Sequence, residues 1–291
     1  MLRIVRAYKE AGQLDRAFEV ATSLTEPPKL DDASSEDNFS VKDDVLSDIA
    51  EAYMQAGQLD KALQVAEIMG EGTRFFTLLK LTEEYKAAGQ LDRATEVIDR
   101  LAAAYRTLAK PDSTTPEWAA YSNASTLLAI ANQYASVGRT NQAVELLLEI
   151  SEIAKTLSWQ NSLTVNVLSG TAELYATVGH RERAAEVLSD ALQVVENIEE
   201  TFVEALALTQ IADGYAQLQQ PDRATELLSQ VLELAKSENG VSEKNVILIM
   251  LARGYGVLGQ FDQAFQVINA VEPTSLRDQL KQTLNCSREA G

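Results

Sequence analysis

Residues 251–264 read Leu-Ala-Arg-Gly-Tyr-Gly-Val-Leu-Gly-Gln-Phe-Asp-Gln-Ala, and this stretch decides the fold. Leu251 and Ala252 stand four and three positions before Tyr255, so all three share one face of a helix. Gly259, four residues after the tyrosine, marks where that helix stops, because glycine reaches positive φ without a Cβ penalty. Beyond the turn, Ala264 is followed by Val267, Ile268 and Val271, the spacing of an amphipathic second helix.

The same order recurs around Tyr8, Tyr53, Tyr85, Tyr134, Tyr175 and Tyr215. An alanine follows each tyrosine by nine residues, and the glycine is replaced once, by Gln219. There the order Gln219-Gln220-Pro221 still predicts an inter-helix turn, with Pro221 opening the next helix where its missing N–H costs nothing. Successive tyrosines are 45, 32, 49, 41, 40 and 40 residues apart. The late, regular spacings set a period near 40, and the irregular early ones place insertions. One insertion covers 25–44, rich in acids and holding Pro27 and Pro28, and is expected to be a loop. A second runs from Lys110 to Pro116, with a helix expected from Glu117. Residues 274–288 carry Leu276, Leu280 and Leu284 on one stripe with polar residues outward, as a terminal capping helix does, and Ser275 with Asp278 is its expected capping pair. The seven units form a single array over 1–291. A short first helix directly after Met1 suggests that the chain continued upstream in a longer parent.

This order of Leu251, Ala252, Tyr255, Gly259 and Ala264 resembles the tetratricopeptide repeat (TPR) family, in its long form of about 40 residues. The resemblance covers all seven units. It implies an all-α fold, a right-handed α-solenoid of seven helix-turn-helix repeats plus a capping helix, whose first helices line a concave groove for a peptide or partner helix. Residues two before each tyrosine face that groove in the family; here they are Arg6, Glu51, Glu83, Asn132, Glu173, Asp213 and Arg253. Lys86 neighbours Glu83 and is counted with them. Family members that bind chaperones grip a C-terminal carboxylate with lysine, asparagine and arginine at such positions. Only Asn132 matches among acids, so that clamp is not expected. Four acids at one repeated position instead predict a negative strip that favours a basic peptide, unless neighbours such as Lys86 pair with them.

Charge points the same way. Twenty-five basic against 43 acidic residues give −18, which disfavours nucleic acid and anionic membrane as partners. A lone Cys286 and no signal-like start lead to a cytoplasmic expectation, and no stretch reaches bilayer-spanning length. Chemistry is sparse: His180 replaces a polar turn residue, and one histidine with one distant cysteine cannot make a transition-metal site. No cofactor, metal or catalytic residue is expected. Trp118 and Trp159 are the candidate aromatic anchors, Trp159 the more exposed. The expected function is a non-catalytic protein-interaction scaffold. The alternative is a regulatory or sensor module of a larger protein, changing superhelix pitch when an effector or signalling peptide binds. Oligomeric state and partner identity are not encoded in any motif.

Overall fold

The computed structural model describes residues 1–24, 40–108, 117–155, 157 and 161–290. Among these the chain is entirely helical and falls into helix-turn-helix pairs: α1 (Leu2–Glu10) with α2 (Leu14–Thr22), α3 (Val41–Gln55) with α4 (Leu59–Ala66), and α5 (Glu71–Ala87) with α6 (Leu91–Leu108). Then come α7 (Glu117–Ser136) with α8 (Thr140–Ala154), α9 (Asn161–Thr177) with α10 (Arg181–Val195), α11 (Thr201–Gln217) with α12 (Pro221–Ser237), and α13 (Val241–Val257) with α14 (Phe261–Ile268). α15 (Thr274–Ala290) closes the series. The architecture is an all-α series of helix-turn-helix pairs followed by one further helix.

Most signature turns are closed by the tyrosine's own backbone. The carbonyls of Tyr53, Tyr85, Tyr175, Tyr215 and Tyr255 accept from the amide five residues on, at 2.8–2.9 Å, while the left-handed residue between donates one turn back. Gln219 occupies that left-handed position at φ 61°, where the other described turns have glycine. Pro221 follows as the first residue of α12, as its sequence position predicts.

Packing explains the rest of the signature. The alanines Ala17, Ala62, Ala94, Ala143, Ala184, Ala224 and Ala264 are all buried to 1% exposure or less. Tyr53, Tyr85, Tyr134, Tyr175, Tyr215 and Tyr255 are buried as well, whereas Tyr8, with a helix pair on one side, is half-buried. Within each unit, second helices pack on the first helix of the next pair, as α2 on α3 and α12 on α13. First helices also touch one another directly, α3 on α5 and α11 on both α9 and α13.

Two seams between pairs had no place in the sequence reading. Tyr53 Oη donates to Asp15 at 2.7 Å, and Lys61 reaches the same carboxylate at 2.6 Å. One repeat later Tyr85 Oη donates to Asp60 at 2.9 Å, and Arg93 bonds that carboxylate. Lys61 and Tyr53 hold the Asp15 carboxyl below its usual range; Arg93 and Tyr85 do the same for Asp60. Burial, with the Asp60 carboxylate adding to it, pushes the Tyr85 phenol up to about 12. In the other seam, leucines of a second helix press on glycines of the next first helix. A Cβ on Gly214 would lie 2.8 Å from a Leu188 methyl, and one on Gly254 would lie 2.9 Å from a Leu228 methyl.

Contacts divide the chain into two compact units, Met1–Tyr105 with Ser136–Arg139, and Arg106–Ala135 with Thr140–Gly291. The acidic insertion ends sooner than residue 44, because Ser40 Oγ accepts from Asp43 N at 3.2 Å and starts α3 at Val41 with Asp43 and Asp44 in its first turn. The remainder of 25–44 lies outside the described residues except Ser40 itself, as do Lys110–Pro116 and Trp159; of Trp118 only the helical backbone is described. α15 begins at Thr274 on the Pro273 carbonyl, so Ser275 stands inside the first turn rather than ahead of it.

Candidate functional site

The residues two before each tyrosine lie on the first helices, one face of which each unit leaves uncovered. Arg6, Glu51, Glu83, Asn132, Glu173 and Arg253 are exposed, and Asp213 is half-buried. In the first unit this face is knitted by ion pairs. Lys9 reaches Asp48 at 2.8 Å, Lys80 reaches Glu51 at 2.8 Å, and Lys86 bonds both oxygens of Glu83 at 2.9 Å. Phe76, one turn before Lys80, stands out at 71% exposure and meets Phe75 edge to face at 5.5 Å. The sequence reading passed over Phe76, although its place nine before Tyr85, on the stripe that leads to Glu83, could have flagged it.

In the second unit, α9, α11 and α13 present matched positions exactly one 40-residue period apart. Arg253 donates to Asp213 at 2.9 Å, which proves that equivalent positions on α13 and α11 sit side by side. Around that pair the character changes from helix to helix. α9 shows Asn166, Glu173 and Thr177; α11 shows Leu206, Gln210, Asp213 and Gln217; α13 shows Val246, Met250, Arg253 and Val257. Val257 is 62% exposed and Val246 39%, so this end of the face is apolar.

The expected negative strip is therefore interrupted. Glu51, Glu83 and Asp213 each have an intramolecular cation, and exposed pairs of this kind contribute little energy but do cancel charge. Glu173 differs: among the described residues its carboxylate has no partner, and only its backbone carbonyl is engaged, by Thr177. Asn132 is exposed on α7.

His180 lies in the turn before α10, with its ring 6.4 Å from that of Tyr175. Among the described residues no group of three or more His, Cys, Asp or Glu is placed to hold a metal ion, and no helix is long and apolar enough to cross a membrane.

No protein-family model and no curated protein matches the sequence. Solved structures do. One contains nearly identical TPR-like repeats of a putative kinesin light chain from Podosopora anserina, at 23% identity over 67% of this chain and 96% of that one, with a TM-score of 0.45. BtubC (BKLC) from P. vanneervenii is 14% identical over 81% of this chain and 92% of its own, with a TM-score of 0.46. Ton1535 from Thermococcus onnurineus NA1 is 12% identical over 97% and 98%, with a TM-score of 0.29.

Proposed function

We propose that this chain is a non-catalytic interaction scaffold and that the face of α9, α11 and α13 takes an extended polypeptide segment. The observation that carries the reading is the register of that face. Three helices in contact offer equivalent positions that are exposed or half-buried, ending in one carboxylate without a partner among the described residues, Glu173, and in an apolar patch of Val246, Met250 and Val257.

The chemistry of the segment follows. A lysine or arginine pairs with Glu173, and an aliphatic side chain covers the patch on α13. Neighbouring helix axes are roughly 8–10 Å apart, so the two anchors are separated by roughly 16–20 Å. An extended chain bridges that span in about five or six residues. Asp213 and Arg253, already joined, form a neutral polar bridge beneath the backbone.

An array of peptides with one arginine and one leucine at variable separation tests this. Retention is expected to peak at a separation of about five or six residues, to weaken with salt, and to fall about fivefold for Glu173→Gln. Equal retention at all separations, unchanged in Glu173→Gln, removes the reading.

A further inference from the structure

Two clasps of one design join neighbouring pairs in the first unit. In each, a tyrosine hydroxyl on a first helix and a cation eight residues on, in the second helix of the same pair, converge on an aspartate at the second position of the preceding second helix. Tyr53 and Lys61 hold Asp15 in this way, and Tyr85 and Arg93 hold Asp60. In later pairs one member of the set is lacking. Gln142 and Gln263 replace the cation after Tyr134 and Tyr255, while Asn141 and Glu182 replace the aspartate before Tyr175 and Tyr215.

Tyr8 and Arg16 are the same two donors, in the same register, on α1 and α2. Tyr8 Oη bonds nothing among the described residues, and Arg16 reaches Gln13, one turn back, at 3.3 Å. Glu19 stands beside Arg16 as Glu96 stands beside Arg93. Because Arg93 holds Glu96 at 2.6 Å and still bonds Asp60, such a neighbour does not use the cation up. The apolar surface next to these donors is bare. Ile4, four residues before Tyr8, is 50% exposed, whereas its counterparts Ile49, Leu81, Ile211 and Leu251 are at 0%. Met1 is 65% exposed where Leu46, Leu208 and Leu248 are at 3% or less. What covers the counterparts is a preceding second helix: α2 packs on α3, α4 on α5, α10 on α11 and α12 on α13, and no described helix stands before α1.

We infer that Met1, Ile4 and Tyr8 of α1, together with Arg16 of α2, dock an amphipathic helix of another polypeptide that carries an aspartate in its first turn. The aspartate accepts from the Tyr8 hydroxyl and the Arg16 guanidinium, a charge-assisted pair of bonds, and the apolar stripe of the helix covers Ile4 and Met1. The two internal clasps dictate this chemistry, since each meets the same donors with a carboxylate and the same apolar positions with a helix face. An aspartate in that turn also suits the docked helix itself, whose N-terminal dipole favours negative charge. Glutamate is a poorer fit: where Glu182 stands at that position no clasp is made among the described residues, and Arg223 lies over the Tyr215 ring at 5.3 Å instead. A second copy of this chain does not supply the helix end to end, because α14, the last second helix, is covered by α15.

Fluorescence anisotropy of the full chain with a labelled peptide copying residues 57–69, held helical by a staple between the exposed positions 64 and 68, tests the inference. That peptide carries Asp60 and the stripe of Leu59, Ala62, Leu63 and Ala66. It is expected to bind saturably, and its Asp60→Asn form about tenfold more weakly. Arg16→Gln in the protein is expected to remove that preference, and Tyr8→Phe to reduce it about threefold. Ile4→Ser is expected to weaken both peptides alike. All three side chains are exposed or half-buried, so the variants keep the fold, which circular dichroism checks. Glu173→Gln is expected to leave binding unchanged, so this site and the face of α9, α11 and α13 fail separately. Equal binding of the two peptides, no binding of either, or a preference that survives Arg16→Gln overturns the inference. So does a dimer in sedimentation that Ile4→Ser dissociates, which would give this surface to a second copy.

Discussion

Replacing Gly254 by alanine puts the seam between α12 and α13 under a direct test. In an open helical position the exchange favours the helix by about 1 kcal/mol. At Gly254 the new Cβ would stand 2.9 and 3.1 Å from the two methyls of Leu228, itself 1% exposed and unable to swing into solvent. Overpacking of this kind costs about 1–3 kcal/mol, so the net effect is a loss of about 1 kcal/mol. Gly72, in the first turn of α5, meets nothing within 4 Å, and its exchange for alanine is expected to stabilise slightly. Leu228→Ala alone should cost about 2–5 kcal/mol. Combined with Gly254→Ala it should cost less than the sum by about 1 kcal/mol, because the added methyl then occupies the vacated space. Urea unfolding read by circular dichroism gives the totals, and amide exchange in α12 and α13 gives the local effect, which matters in an array that can open in parts. Stabilisation by Gly254→Ala equal to that by Gly72→Ala, or strict additivity with Leu228→Ala, refutes the contact.

Three further outcomes follow from particular residues. Gln219→Gly relieves a side chain held at φ 61° and is expected to stabilise by about 0.5–1 kcal/mol in thermal unfolding; a loss would mean that the turn is not strained. Tyr85→Phe removes the bond to Asp60 and is expected to cost about 1 kcal/mol near neutral pH by the same measurement, with no change if that bond is idle. The tyrosine also sets an alkaline limit. Its folded pKa, about 12, lies above the unfolded value near 10, so its contribution is complete below pH 10 and lost as pH rises toward 12. Wild type should therefore lose stability over that window more steeply than Tyr85→Phe, and parallel curves would contradict the pairing. At the acid end Asp60, held below its usual range by Arg93 and Tyr85, contributes above about pH 4 and less as pH falls further, so an Asp60→Asn variant is expected to show a shallower acid transition.

The helix pairs were legible because the signature joins two short-range requirements, a left-handed turn residue and a small residue at the crossing. Gln219 obeyed the turn rule from its neighbour Pro221 alone. The seams were harder to see. Asp15 and Tyr53 are 38 residues apart, and their bond depends on how one pair stacks on the next, which no local pattern states. Leu228 and Gly254 compensate each other in size across the same kind of distance. On the first-helix face, sequence placed the acids at one register and named Lys86 as a neighbour able to pair with them, but could not foresee that Lys80 and Arg253 would cancel two more and leave Glu173 apart.

The most direct test of the scaffold is a methyl spectrum of Leu, Val and Met-labelled protein, titrated with the arginine–leucine peptide that the array retains best. Saturable shifts at Leu206, Val246, Met250 and Val257, absent at Leu2 and Leu148, are the result predicted. Shifts confined to other methyls, or a spectrum unchanged at saturating peptide, would contradict the claim that α9, α11 and α13 form the binding face.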